Sequence, residues 1–238
     1  MPVVKYRSQQ PGLVPRRTRM EVPGWAGVSE PRRDGSMEHA WHCLPFTEAA
    51  RAGIELCYPH PDELRVSRRD GKLEFEGDFG SGDERRPPFR NFGTEYFTYQ
   101  LLLDLKVADG LALKTEPHPR FFTDTTGTAP IAVPAIIRHW WPMIYFAVFK
   151  APREGEAHVF RPGEPFMQIT LVSEEDAPEL VPMSEEEAAE RELQSRRIYE
   201  SRSSLGADSQ WTSATSTVFD GTYRRLLAAA RGSRSGGG

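Results

Sequence analysis

Apolar positions in this chain come in short runs separated by turn signals. Tyr96–Leu105, Gly110–Glu116, Ile131–Arg138, Met143–Lys150, Glu156–Phe160 and Phe166–Val172 each read as a strand. Turns are expected at Asp109-Gly110 and over 123–130, 151–156 and 161–164. Earlier in the chain, Ile54–Pro59 is a strand candidate. Asp70-Gly71 sits between two alternating runs and signals a hairpin. On its second run Leu73 and Phe75 share one face, with Lys72, Glu74 and Glu76 on the other. Residues 77–93, rich in Gly, Pro and charge, read as a long loop. Many short strands with frequent turns point to a mainly β fold, a sandwich, roll or barrel, and not to βαβ units.

Helical signals are few. Residues 46–53 suggest a short helix with Thr47 as N-cap and Gly53 as its stop. Ser184, followed three residues later by Glu187, is a capping box that opens a helix with acids in its first turn and arginines further on. Its apolar face is thin, carried by Ala189 and Leu193. Residues 221–232 form a short final helix closed by Gly232. The organisation expected is a basic arm over 1–33, a mainly β core over 34–176, a C-terminal helical extension over 177–232 and a tail over 233–238.

Composition refines this picture. With 38% apolar residues and 20 each of Gly and Pro among 238, the chain is loop-rich around a modest core. A net charge of −4 argues against a nucleic-acid partner. The charge is uneven. Lys5, Arg7, Arg16, Arg17, Arg19, Arg32 and Arg33 crowd the first 33 residues, while 173–190 carries eight acids and no base. Such an arm could touch an acidic partner, this chain's own acidic segment included, but a solvated tail is the preferred reading. Two cysteines make no disulfide framework, and a reducing cytoplasm is the default compartment. No apolar run follows the N-terminal charges, as a secretory signal requires. The apolar segment 140–149 contains Pro142 and is too short to span a membrane, so the protein is expected to be soluble, with no membrane partner.

Two clusters could carry chemistry. His39, His42, Cys43, Cys57 and His60 bring imidazole and thiol groups together in sequence. Such donors suit zinc or iron, although the spacing fits no standard zinc module and buried structural cysteines are the competing reading. The second cluster is His118, Arg120 and His139 with Trp140 and Trp141. Pro117 and Pro119 stiffen the loop that presents His118 and Arg120, and an arginine fork suits carboxylate or phosphate. His139 is expected on a strand, as a base or a ligand. Tandem tryptophans on a strand would put one ring in the core and the other on the opposite face, where it could line a pocket for a flat aromatic ligand. Structural tryptophan packing and a satisfied histidine are the alternative. An iron oxygenase would want two histidines and a carboxylate, and the compact His-x-Asp pair is found only in the Pro-containing His60-Pro61-Asp62.

The stretch Gly163-Glu164-Pro165-Phe166-Met167-Gln168-Ile169 resembles the last core hairpin of the dUTPase and dCTP deaminase family, which reads Gly-Asp-Arg-Ile-Ala-Gln-Leu. The resemblance covers Tyr96 to Val172 and implies a β-clip-like roll. It also implies that Phe166 and Gln168 share one face, with Met167 and Ile169 on the other. The family's water-activating aspartate would fall near Trp140, with Trp141 at the aromatic place, and no carboxylate lies between Asp124 and Glu154. Thr115 to Arg120 stand where the Arg-Ser-Gly phosphate motif belongs. The full layout, from His42 through the acidic helix, is similar to a bacterial family of unknown function.

The function expected is therefore a non-catalytic ligand-binding or assembly module, with Gln168 joining His118, Arg120, His139, Trp140 and Trp141 as ligand-binding candidates. Relatives of such a roll assemble as trimers, so a homo-oligomer, trimer or dimer, is the partner expected. The alternatives are a small-molecule enzyme, a metal-dependent oxygenase or hydrolase using His118 and His139, and a nucleotide pyrophosphatase, which the missing aspartate disfavours.

Overall fold

The computed structural model describes residues 2–19, 29–31, 37–39, 44–77, 88–122, 124, 126–174, 179–201, 210–212, 218–220, 222–223 and 225–227. The chain divides into two compact units. One contains Met1–Trp25 and Thr47–Glu175, the other Ala26–Phe46 and Asp176–Gly238.

The strands, in chain order, are β1 Lys5–Ser8, β2 Arg16–Arg17, β3 Ser29–Pro31, β4 Met37–His39, β5 Ile54–Cys57, β6 Leu64–Arg69, β7 Lys72–Glu76 and β8 Phe89–Phe92. They continue with β9 Tyr96–Lys106, β10 Leu111–Pro117, β11 Ala135–Arg138, β12 Ile144–Lys150, β13 Ala157–Phe160, β14 Pro165–Ser173, β15 Gln210–Thr212 and β16 Val218–Asp220. The protein is mainly β, with a C-terminal helix over Glu185–Ser201, as the sequence suggests. Among the described residues its sheets stay open and form no closed barrel.

Three antiparallel sheets make the first unit. The long β9 carries β12 on one edge and both β1 and β8 on the other. A second sheet runs β11-β10-β14-β5-β2, and a third β13-β6-β7. They share one core. Phe97, Tyr99, Leu101, Leu103 and Leu105 alternate inward from β9. Phe89 stacks on Tyr99 with ring centroids 4.5 Å apart, Phe160 and Phe166 meet this pair, and Phe149 packs on both of those rings. Offset and edge-to-face aromatic pairs each add about 1 kcal/mol beyond the area they bury.

The hairpin signal holds: Asp70 and Gly71 both have positive φ, as a type I′ turn demands, and Glu154 accepts from both their amides. Leu73 and Phe75 pack against the core. The capping box also holds. The Ser184 amide donates to Glu187 and the Glu187 amide to Ser184 Oγ. In the second unit β3 pairs β4 and β15 pairs β16. Residues 222–223 and 225–227 are helical, while Gly232 lies outside the described residues. Among the described residues no helix is long and apolar enough to cross a membrane.

Four expectations are corrected. The helix Leu44–Ala50 starts before Thr47, which is buried inside it instead of capping it. The N-terminal residues are no solvated tail: Leu13 is completely buried in the core, β1 pairs β9 and β2 pairs β5. Residues 161–164 do not close a hairpin, because β13 pairs β6 while β14 pairs β10 and β5. Arg161-Pro162-Gly163-Glu164 is a turn with Pro in second place and Gly163 at φ 75°, closed by the Glu164 amide on the Arg161 carbonyl. It hands the chain from one sheet to another.

Strict alternation along β14 is broken as well. A bulge against β5 falls between Pro165 and Met167. An extra residue there breaks the two-residue period, so Phe166 joins Met167 and Ile169 in the core and Gln168 faces the other way alone.

Candidate functional site

Gln168 stands opposite Glu55 of β5, and Glu55 stands opposite Arg16 of β2. Residues directly opposite share a face, so these three form a polar row across the second sheet. Gln168 is committed to structure: its amide donates to the Ala49 and Ala52 carbonyls at the end of the short helix. Thr18 Oγ1 donates to the Ala52 carbonyl as well. These bonds satisfy acceptors that a helix end leaves open.

Glu55 is only 1% exposed, on a strand between Ile54 and Leu56. A buried carboxylate needs donors, and it has three. Arg16 Nε donates to Oε1 at 2.6 Å, while His118 Nε2 at 3.1 Å and the Arg19 amide at 3.3 Å converge on Oε2. Burial alone would raise the carboxyl pKa, but the bonds and charges of His118 and Arg16 outweigh it and hold Glu55 below its usual range. The other ring nitrogen, His118 Nδ1, accepts from the Arg120 amide at 3.2 Å. That places an imidazole proton on Nε2, toward Glu55.

Above this network lies a cleft of about 260 Å³, lined by Arg16, Arg19, Glu55, His118, Arg120 and Glu164 together with Ala50, Pro119, Pro162, Gly163 and Pro165. Arg120 reaches Glu164 at 2.6 Å. Three arginines against two carboxylates leave the cleft with positive charge in surplus. The prolines and the Gly163 turn keep its walls stiff.

The sequence candidates divide. His118 and Arg120 line the cleft; His139, Trp140, Trp141 and Gln168 do not. His139 lies beyond β11 in a turn, with Nδ1 2.6 Å from Glu174 Oε2 and its amide on Glu174 Oε1. The expected tryptophan strand is a turn too, closed by the Trp141 amide on the Arg138 carbonyl ahead of Pro142. A turn does not alternate faces, so neither ring enters the core. Trp140 is 64% and Trp141 47% exposed, and their rings meet edge to face at 5.9 Å.

His42 and Cys43 lie outside the described residues, and only the backbone of His39 is described, in β4. Cys57 is half-buried at the end of β5. His60 Nε2 accepts from the Gln10 side chain at 2.9 Å, and burial pushes its pKa down. Among the described residues no three His, Cys, Asp or Glu side chains are grouped to hold a metal ion.

Glu55, Arg16, Arg19 and Glu164 are the site residues that sequence reasoning missed. One signal was there: a single carboxylate inside an apolar strand implies a buried partner. Nothing local named that partner, since Arg16 and His118 lie 39 and 63 positions away.

Fold and site together define a mainly β protein with a stiff, arginine-lined cleft over a buried carboxylate. No protein-family model matches the chain, and no curated protein matches it. Among solved structures it is similar to the native dUTPase of EIAV, at 10% identity and a TM-score of 0.36, over 77% of this chain and 98% of that one.

Proposed function

We propose that the chain is a binding module whose cleft takes a small anion through a carboxylate or phosphate group. The observation that carries this reading is the Glu55 network. It spends a fully buried carboxylate on fixing Arg16 and His118, and it leaves Arg16, Arg19 and Arg120 around an open, net positive cavity. Guanidinium groups suit planar, two-oxygen recognition, and pre-ordering them reduces the entropy lost on binding. Both nitrogens of His118 are engaged within the protein. That favours a positioning role for the ring over proton transfer, and hence binding over catalysis.

Calorimetric titration with inorganic phosphate, and separately with simple carboxylates, tests this. Saturable binding that weakens with salt is expected. Arg120→Ala and Arg19→Ala should each weaken it about tenfold or more, the scale of one charge-assisted hydrogen bond. Absence of binding at millimolar anion, or affinity unchanged in both variants, would refute the reading.

A further inference from the structure

A second concavity, of about 250 Å³, opens where β8, β9 and β12 of the first sheet meet β10, β11 and β14 of the second, and its lining is almost wholly apolar. Phe92, Tyr96, Val133, Ile137, Phe146 and Val148 form most of it. Phe92 is 58%, Phe146 49% and Tyr96 43% exposed. Three large rings lining one concavity meet water here, which is uncommon for a surface without a partner. The strand register adds charge. Lys150 stands opposite Tyr96 and Arg90 opposite Thr98, so both cations share one sheet face with the rings. The nearby Glu95 carboxylate is held by Arg68 at 2.7 Å.

The same chain carries a segment of matching chemistry. Residues 179–184 belong to neither helix nor strand, and Leu180, Val181 and Met183 are 93%, 69% and 61% exposed. Glu185 and Glu186 follow at once, in the first turn of the C-terminal helix. Glu187 is occupied by the capping box. An apolar tripod trailed by two acids fits an apolar groove bordered by two cations. Pro182 restricts the segment to extended conformations and lowers the entropy lost on docking.

We infer that this groove is an interface with a second copy of the chain, which lays Leu180, Val181 and Met183 into it and sets Glu185 and Glu186 against Arg90 and Lys150. Exchange is reciprocal, so one contact is made twice about a twofold axis and the product is a closed dimer. This site is separate from the arginine-lined cleft and stands whether or not the cleft binds anions.

Sedimentation of the full chain over about two decades of concentration tests the inference, because mass action makes the dimer fraction concentration-dependent. A monomer–dimer equilibrium is expected. Phe146→Glu and Leu180→Glu should each shift it at least tenfold toward monomer with unchanged circular dichroism, since both side chains are exposed. Glu185→Lys with Glu186→Lys should weaken the dimer, and adding Arg90→Glu with Lys150→Glu should restore it. With Tyr96→Cys and Met183→Cys in one chain, oxidation should yield covalent dimers. A monomer at every concentration, a dimer indifferent to Phe146 and Leu180, or a cross-link confined within single chains overturns the inference.

Discussion

His158 is buried on β13, beside the Phe97 ring at 6.2 Å, and its Nδ1 has no hydrogen-bond partner among the described residues. Burial pushes its pKa down from 6.5 to about 4, with Glu156 pulling weakly the other way. The sign follows from proton linkage. Below about pH 6.5 the unfolded chain takes up a proton that the folded chain refuses, so stability falls as pH drops toward 4. The loss should approach ~3 kcal/mol, at about 1.4 kcal/mol per pKa unit. His60, also depressed, acts in the same direction, and it remains when His158 is replaced. The depressed carboxyls of Glu55 and Asp124 act lower, below about pH 4.5. Urea unfolding between pH 7 and 4.5 should therefore show a steep decline in the wild type and a shallower one in His158→Leu. Equal slopes would place the source elsewhere.

Gly53 was readable as a helix stop, and its φ of 69° agrees. What the sequence hid is the strand behind it: a Cβ at this position would lie 2.1 Å from the Ile169 carbonyl oxygen of β14. Neither backbone can yield without breaking the β5–β14 ladder. Gly53→Ala should cost ~3 kcal/mol or more, or prevent folding. Gly71, at φ 71° with nothing within 4 Å of a Cβ, is the control. Gly71→Ala should cost only ~1 kcal/mol, the left-handed penalty alone. Denaturation midpoints separate the two cases, and similar losses would mean that contact with β14 is not the cause. The contrast shows what was legible. Long alternating strands such as β9, β10, β12 and β14 announced themselves through periodicity. The short strands β1, β2 and β8 did not, because they take their order from partners far away in sequence. Pairing decided the site as well. His118 and Arg120 were visible in a proline-stiffened loop, but the Glu55 that organises them appears only once β2, β5 and β14 lie side by side.

At the scale of the whole first unit, residues 5–19 are a strap between two sheets. β1 extends the β9 sheet and the Gln9 amide continues the pairing to the Leu102 carbonyl. Gln10 then turns inward, where its amide meets Tyr99 Oη at 2.8 Å and His60. Leu13 plugs the core, β2 joins the second sheet, and Arg16 and the Arg19 amide complete the Glu55 network. The strap thus couples core stability to the shape of the cleft. Leu13→Ala should cost about 2–5 kcal/mol, as for other fully buried leucines. Removing residues 2–15 should cost more, because it also uncovers one edge of β9 and orphans Tyr99 Oη. Arg16 and Arg19 would remain in that truncated chain, untethered from the first sheet. Anion affinity in the cleft should fall along with the melting temperature, since the arginines would have to be ordered on binding. A solvated basic arm predicts the reverse pattern: unchanged melting, with only a weaker salt dependence of binding. Calorimetry and thermal melts on the same truncated chain distinguish the two.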